Sequence, residues 1–222
     1  MNAKKLAGEK AVDYIQNGMI VGLGTGSTVH WSILKLGELV KQGLIIKGVP
    51  TSKQTEQLAN ELGIPLVDLS SIEQIDITID GADEANPAFE LIKGGGGALL
   101  REKMIASISK RLVVVMDETK NVANLGEFPL PVEITQFGWE MTRRQISALG
   151  CEPTLRLKDN LPFITDNGNY ILDCDFGNIH DAKNLNHALN MIPGVVENGL
   201  FVNLADTMVI GKRDGHVNIL FK

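Results

Sequence analysis

Short apolar runs alternate with amphipathic helical segments along roughly the first 120 residues of the chain. An apolar run at 19–23 is followed by a helical segment near 28–42, and a second run at 45–49 by a helical segment near 53–62. This β-α-β-α order is typical of parallel sheets whose helices pack on the faces, and it constrains the fold more than any other feature. It predicts an α/β fold with an open, Rossmann-like, mostly parallel sheet.

Further segments extend this pattern. They comprise three predicted strands, at 64–67, 75–80 and 112–116, and one predicted helix at 98–109. Two apolar stretches near the end of the chain, 208–210 and 217–221, are predicted to return to the same sheet.

The pattern changes where Pro129 and Pro131 favour an extended connector. The segments that follow are predicted as strand 132–134, helix 137–149, strand 154–157, strand 170–174, helix 182–191 and strand 195–202. This β-α-β-β-α-β order suits a smaller ferredoxin-like α+β unit. We therefore expect a catalytic α/β domain of residues 1–126 plus 201–222, with a second domain of residues 127–200 inserted in it.

Composition narrows the class of protein. The formal net charge is −6, which disfavours nucleic acid or an anionic membrane surface as a partner. No signal peptide is visible, and no apolar run reaches the roughly 20 residues of a spanning helix. Cys151 and Cys174 have no spacing typical of a zinc site, and they are predicted to be buried free thiols. These features predict a cytoplasmic protein.

The first candidate site is the segment Gly24-Thr25-Gly26-Ser27-Thr28, between a predicted strand and a predicted helix. Glycines permit tight turns, and the amides and hydroxyls at a helix N-terminus form a site for phosphate or an oxyanion. The alternative is a plain turn in which Ser27 or Thr28 caps the helix. Because Ser27 replaces the third glycine of a dinucleotide fingerprint, no dinucleotide cofactor is expected.

The second candidate is Asp80-Gly81-Ala82-Asp83-Glu84, directly after an apolar strand. Asp80 is predicted at the carboxyl end of that strand, where ligands bind in open α/β folds. Two alternatives are a divalent-cation site and a solvated acidic turn. The cation site is disfavoured because no further oxygen ligands or histidines lie nearby in the sequence.

The third candidate is Lys93 with the glycines 94–97, followed by a helix that carries Glu102. Four consecutive glycines are costly to order, so close approach of the backbone to a ligand explains them better than a linker does. Glu102 is expected in the first turns of the helix, near its positive end. The alternative is a surface acid that only compensates the helix dipole.

These three motifs, in this order, resemble the type A ribose-5-phosphate isomerases, and the segments 126–133 and 165–169 are similar to the same family. The likeness covers essentially the whole chain. It implies an aldose-ketose isomerase of the non-oxidative pentose phosphate branch that needs no cofactor and no metal. Many members are dimers, so the resemblance also predicts a homodimer.

The resemblance implies roles for individual residues. Glu102 matches the general base, and Asp80, Asp83 and Lys93 match the other catalytic polar groups of the sugar site. Lys4 is a weaker candidate near the N-terminus. The substrate-binding positions that it implies are Thr25, Gly26, Ser27, Thr28, Asp80, Gly81, Ala82, Asp83, Lys93, Gly94, Gly95, Gly96 and Lys120.

Two functions of other classes stay open at this point. A sugar-phosphate sensor is disfavoured because the chain is acidic and shows no DNA-binding segment. An acyl-CoA transferase of similar architecture uses a glutamate as its nucleophile, but the second and third motifs do not indicate one.

Overall fold

The computed structural model describes residues 2–222. The described chain forms two compact units, the first of residues 2–82, 101–121 and 204–222, and the second of residues 83–100 and 122–203. Its α-helices are α1 (Ala3–Ala11), α2 (Val29–Lys41), α3 (Lys53–Leu62), α4 (Leu99–Ser107), α5 (Trp139–Ser147) and α6 (Ala182–Asn190).

The strands are short, and several contain only two residues. They are β1 (Ile20–Leu23), β2 (Lys47–Pro50), β3 (Ile77–Gly81), β4 (Glu84–Ala85), β5 (Leu91–Ile92), β6 (Leu112–Asp117), β7 (Leu130–Ile134), β8 (Glu152–Leu155), β9 (Leu157–Lys158), β10 (Leu161–Pro162), β11 (Tyr170–Asp175), β12 (Val195–Asn198), β13 (Leu200–Phe201), β14 (Thr207–Gly211) and β15 (Val217–Phe221).

The first unit is built on a six-stranded sheet in the order β15-β14-β6-β3-β1-β2. Every neighbouring pair is parallel except β14 and β15. The predicted open, mostly parallel α/β sheet is therefore confirmed, and so is the return of the two C-terminal stretches to it. Parallel neighbours share a direction, so the carboxyl ends of β1, β3 and β6 lie along one edge.

Helices cover both faces of this sheet. Ala7 of α1 and Leu36 of α2 belong to the same buried cluster as Val113 of β6. On the other face, Ile105 of α4 packs with Val49 and Ile75. Burial on both faces explains why β6 is a continuous valine-rich run instead of an alternating pattern.

The second unit contains an antiparallel sheet in the order β12-β7-β11-β8. With α5 and α6 the chain order is β7-α5-β8-β11-α6-β12, which is the predicted ferredoxin-like β-α-β-β-α-β arrangement. Its core includes Val132, Leu172 and both cysteines, which are free and buried as predicted.

Three predicted strands were wrong in detail. The segment 64–67 forms only an isolated bridge, between Leu66 and Gly48. The segment 154–157 is interrupted at Arg156, whose amide donates to the Ile171 carbonyl while its own carbonyl accepts from the Phe163 amide. The segment 195–202 is divided into β12 and β13, because β13 leaves the four-stranded sheet to pair with β5.

The segment 83–100 lies in the second unit, because β4 and β5 join β13 in a three-stranded sheet. The division expected from the sequence, residues 1–126 plus 201–222 against 127–200, stays a prediction. None of the helices described between residues 2 and 222 has the length and apolar character needed to cross a lipid bilayer.

Candidate functional site

In the first unit, the loop after β1 is built around the carboxylate of Asp80 at the end of β3. Asp80 is 1% exposed, and its Oδ1 accepts hydrogen bonds from the amides of Thr25 (3.1 Å) and Gly81 (2.7 Å). A Cβ atom on Gly24 would lie 2.3 Å from the same oxygen. Glycine is therefore required at position 24 because the carboxylate occupies the space that a side chain would need.

Hydroxyl groups from the segment after β2 and from the start of α3 fix the same loop. The Thr25 hydroxyl lies 2.7 Å from that of Thr51 and 2.8 Å from that of Ser52. Thr55 donates to the Gly24 carbonyl over 2.9 Å. Thr51 and Ser52 follow β2, the strand next to β1, and Ser52 also caps α3. These residues were not predicted from the sequence, although a Thr-Ser pair directly after a strand and before a helix was the available signal.

The remainder of this loop contacts a lysine. Lys4 donates from Nζ to the Ser27 hydroxyl over 3.0 Å. Thr28 is the residue before α2, but its side chain makes no capping hydrogen bond. The capping alternative for this segment is therefore wrong, and the Ser27 hydroxyl faces a cation instead.

A second lysine lies at the neighbouring strand end. Lys120 ends the short 3-10 helix Glu118–Lys120 after β6. The positive charges of Lys120 and Lys4 both interact with the carboxyl group of Asp117 and lower its pKa. Burial raises the pKa of Asp117, but the hydrogen bonds from Thr119 and the charges of both lysines outweigh it and hold the pKa below its usual value. Lys4 and Lys120 thus act on the same carboxyl group.

Glu102 lies in the first turn of α4, as predicted, and only 4% of it is exposed. A carboxylate at a helix N-terminus is stabilised by the helix dipole. The surface-acid alternative is wrong, because a dipole-compensating acid at the surface would be solvated.

In the second unit, Asp83 holds the glycine loop, residues 94–97. Its carboxylate accepts from the Gly95 amide over 2.7 Å, and its own amide donates to the Ile92 carbonyl over 2.8 Å. A Cβ atom on Gly95 would lie 2.6 Å from the carboxylate. Gly94 has a φ of 105°, a left-handed conformation that favours glycine. Gly95 and Gly96 are exposed.

Lys93 precedes this loop and is 2% exposed. Its amide donates to the Gly199 carbonyl over 2.9 Å, and its ammonium lies 5.4 Å from the centre of the Phe201 ring. A cation over an aromatic face is stabilised by the ring quadrupole. The β13 strand thus fixes the base of the glycine loop.

Arg156 also contacts the glycine loop, although it lies in none of the three sequence motifs. Its Nη1 donates to the carbonyls of Gly94 (2.8 Å) and Gly95 (3.2 Å). A Cβ atom on Gly97 would lie 2.5 Å from the Phe163 ring. Neither contact has a local sequence signal, because both partners lie more than 60 residues away along the chain.

The remaining carboxylate of the second motif anchors another loop. Glu84 is 3% exposed and accepts from the amides of Gly126 (2.7 Å) and Phe128 (2.6 Å). Asp80 is also buried and binds other backbone amides, so the acidic-turn alternative is wrong for Asp80 and Glu84. Asp83 is partly exposed. Within residues 2–222, no group of three or more His, Cys, Asp or Glu side chains is arranged to hold a metal ion.

The segments 126–133 and 165–169 meet inside the second unit. Glu133 is fully buried, and its Oε1 accepts from the Thr165 hydroxyl and the Asn169 side-chain amide, both over 2.9 Å. These contacts are structural, because they tie one strand of the sheet to the loop before β11.

Comparisons with known proteins agree on one family. Residues 47–215 match the family model described as Ribose 5-phosphate isomerase A (phosphoriboisomerase A). The chain is 56% identical over 216 residues to ribose-5-phosphate isomerase A of Bacillus mycoides, covering 97% of this chain and 98% of that protein.

Solved structures show the same likeness. A D-ribose-5-phosphate isomerase in complex with phospho-erythronic acid superposes with a TM-score of 0.96 at 41% identity, covering 100% of both chains. The ribose 5-phosphate isomerase of Plasmodium falciparum also gives 0.96, at 43% identity, over 99% of this chain and 98% of that one. The match to the family model and the similarity to full-length relatives show that this chain belongs to the ribose 5-phosphate isomerase A family.

Proposed function

We propose that the chain interconverts ribose 5-phosphate and ribulose 5-phosphate, the aldose-ketose step of the non-oxidative pentose phosphate branch. Membership of the family supports this activity. One relative is solved with phospho-erythronic acid, a phosphorylated sugar acid whose carboxylate resembles the charge of an enediolate. The structural observation that carries the proposal is the buried carboxylate of Glu102, in the first turn of the helix that follows the glycine loop.

Glu102 is assigned as the base. Isomerisation needs a group that removes a proton from one carbon and returns it to the neighbouring carbon, and one carboxylate can serve both. Burial keeps water from competing for that proton.

Lys93 and the amides of the glycine loop are assigned to the developing negative charge. The sugar oxygen becomes an enediolate oxygen as the proton leaves, and donors fixed in advance stabilise it without reorganisation. Lys93 supplies a buried positive charge. Asp83 holds the loop through the Gly95 amide and is assigned to the sugar hydroxyls.

Asp80 is assigned to proton transfer during opening of the sugar ring. Its Oδ1 is occupied by the Thr25 and Gly81 amides, so the loop and the carboxylate are held together. Ser27 and Thr28, with Lys4 and Lys120, are assigned to the phosphate. Hydroxyls near a helix N-terminus and two lysines form a suitable anion site.

The proposal includes three properties that rest on the family resemblance and on composition. The enzyme works without cofactor or metal, it is a homodimer, and it acts in the cytoplasm without nucleic acid as a partner. Size-exclusion chromatography with light scattering tests the dimer, and a monomer would contradict it.

The activity is tested by incubating the purified protein with ribose 5-phosphate and EDTA and measuring ribulose 5-phosphate. Turnover in EDTA is expected. A protein that binds ribose 5-phosphate without converting it would contradict the assignment and favour a sensor. Activity that returns only with added metal would contradict the metal-free site.

A further inference from the structure

We propose that Arg156 is a positioning residue for the isomerisation, which orients the Gly95–Gly96 peptide so that its N–H donates to the charge developing on the substrate. The inference rests on the proposed function and concerns a residue that none of the motifs contains. Its basis is the set of hydrogen bonds between the guanidinium and the glycine loop.

Arg156 fixes two consecutive peptide groups of the loop. Its Nη1 donates to the Gly94 carbonyl over 2.8 Å and to the Gly95 carbonyl over 3.2 Å. In a planar trans peptide, the carbonyl of one residue and the N–H of the next point in opposite directions. The N–H groups of Gly95 and Gly96 are therefore directed away from the guanidinium.

The first of these peptides confirms the geometry. The Gly95 N–H, opposite the Gly94 carbonyl, donates to the Asp83 carboxylate over 2.7 Å. The Gly95 carbonyl also faces Arg156, so the Gly96 N–H points to the side away from the guanidinium. Gly96 is exposed, so a ligand can reach this N–H.

The guanidinium is itself held by a carboxylate. Nε donates to Oδ2 of Asp173 over 2.9 Å, and Nη2 makes a second, short contact with Oδ1. The side chains are 14% and 28% exposed, respectively. Asp173 lies in β11, which is paired on both sides, and such a two-pronged contact restricts the orientation of the planar group.

The backbone of Arg156 is equally constrained. Its N–H donates to the Ile171 carbonyl and its carbonyl accepts from the Phe163 amide, both over 2.9 Å. The Phe163 ring in turn lies where a side chain on Gly97 would be. The interruption between β8 and β9 therefore places Arg156 against the first half of the glycine loop. Through its hydrogen bond to Arg156, Phe163 is held with its ring against the end of the same loop.

An oriented peptide affects catalysis more than binding. The negative charge on the sugar oxygen exists only as the enediolate forms, so a donor aimed at it lowers the barrier without tightening the ground state. Removing Arg156 should therefore lower kcat and leave KM nearly unchanged. Affinity for phospho-erythronic acid should fall with kcat, because its carboxylate resembles the charged state.

The test compares Arg156→Gln and Arg156→Lys with a matched control. Arg143→Gln removes another arginine of the second unit that binds a backbone carbonyl, of Pro153 (2.8 Å), and a carboxylate, of Glu152 (2.9 Å). Each variant is assayed for kcat, KM and inhibition by phospho-erythronic acid, and circular dichroism confirms that it is folded.

For Arg156→Gln we expect kcat to fall by about 10- to 100-fold with KM within about 3-fold, since losing a whole oxyanion donor costs about 10²–10³. The Ki for phospho-erythronic acid should rise in parallel. Lysine keeps the positive charge but lacks the planar guanidinium that donates several hydrogen bonds in a fixed geometry. The kcat of Arg156→Lys should therefore lie between those of Arg156→Gln and the wild type. Arg143→Gln should match the wild type.

A folded Arg156→Gln enzyme with kcat within twofold of the wild type would overturn the proposal, and so would a change confined to KM. If both Arg156 variants fail to fold, the wild-type protein decides by NMR. The Gly96 amide resonance should shift on addition of phospho-erythronic acid, and an unchanged resonance would refute its role. Inactivity of the wild type would instead contradict the proposed function itself.

Discussion

The amide of Thr25 donates to the carboxylate of Asp80 over 3.1 Å, so the loop after β1 and the end of β3 are locked to each other. The carboxylate of Asp80 is buried, and it leaves no space for a side chain at Gly24. Asp80 therefore has two tasks, to hold the loop and, in the proposed mechanism, to move a proton during ring opening. A substitution that preserves one task and removes the other separates them.

Asp80→Asn makes this separation. The amide oxygen of asparagine still accepts from the Thr25 and Gly81 amides, so the fold should be kept, but the group no longer exchanges a proton. We expect kcat with ribose 5-phosphate to fall by about 10²-fold, within the range for general acid-base groups. Asp76→Asn is the control, because Asp76 precedes the same strand and pairs with Lys110 instead. Steady-state assays with near-native turnover for Asp80→Asn would contradict the role.

Glu102→Gln tests the proposed base. Glutamine keeps the size and hydrogen-bonding capacity of the side chain but does not accept the carbon-bound proton. We expect kcat to fall by about 10³-fold or more, with KM changed little. Loss of proton exchange between substrate and deuterated water should accompany it, as measured by NMR. Glu140→Gln removes the exposed first-turn glutamate of α5 and should leave kcat unchanged. Retention of native kcat by Glu102→Gln would remove it as the base.

Lys120→Ala and Lys4→Ala test the phosphate assignment. Both lysines act on the same electrostatic neighbourhood, and Lys4 bonds to the Ser27 hydroxyl. We expect each variant to raise KM for ribose 5-phosphate by about 10- to 100-fold, since one charge-assisted hydrogen bond contributes about 1.5–3 kcal/mol and about 1.4 kcal/mol is tenfold. Lys41→Ala, at the exposed end of α2, is the control. The wild-type KM for ribose 5-phosphate should rise with salt concentration. If a lysine variant leaves both KM and kcat unchanged, that lysine does not belong to the phosphate site.

The sequence predicted those parts of the fold that depend on local pattern. The valine-rich run of β6 follows from burial on both faces of the sheet. The apolar stripe Val29, Ile33 and Leu36 of α2 follows from burial of one face of that helix. The position of Glu102 followed from the glycine loop that precedes its helix. Gly24 was recognised as a turn residue, but its close approach to Asp80 is a contact 56 residues away.

The parts that were missed depend on distant partners. Arg156 looked like an ordinary strand residue, and only pairing with β11 places its guanidinium against Gly94 and Gly95. The predicted strand at 195–202 could not be divided from the sequence, because the division depends on β5 pairing with the segment after Gly199. Local propensity cannot report which of two sheets a short apolar run will join.

The ion pair between Asp76 and Lys110 predicts a pH-dependent contribution to stability. The Lys110 ammonium lies 2.8 Å from Asp76, and its hydrogen bond, followed by that from the Ile20 amide, holds the pKa of Asp76 below its usual value. A carboxyl group whose pKa is lower in the folded than in the unfolded protein stabilises the folded state at pH values above the unfolded pKa of about 3.9. This stabilisation is lost as the pH falls through the pKa of the folded state.

Asp76→Asn should therefore lower the free energy of unfolding at pH 7 by at most about 1 kcal/mol, because the pair is solvent-exposed and screened. Asparagine still accepts from the Ile20 amide, so the variant mainly removes the charge. Urea unfolding at pH 7 and near pH 3 measures the effect, and the difference from the wild type should shrink at the lower pH. Adding Lys110→Met to both proteins should reduce the pH dependence of that difference to the part that the Ile20 amide causes. A difference that is equal at both pH values would show that the charge of Asp76 contributes nothing.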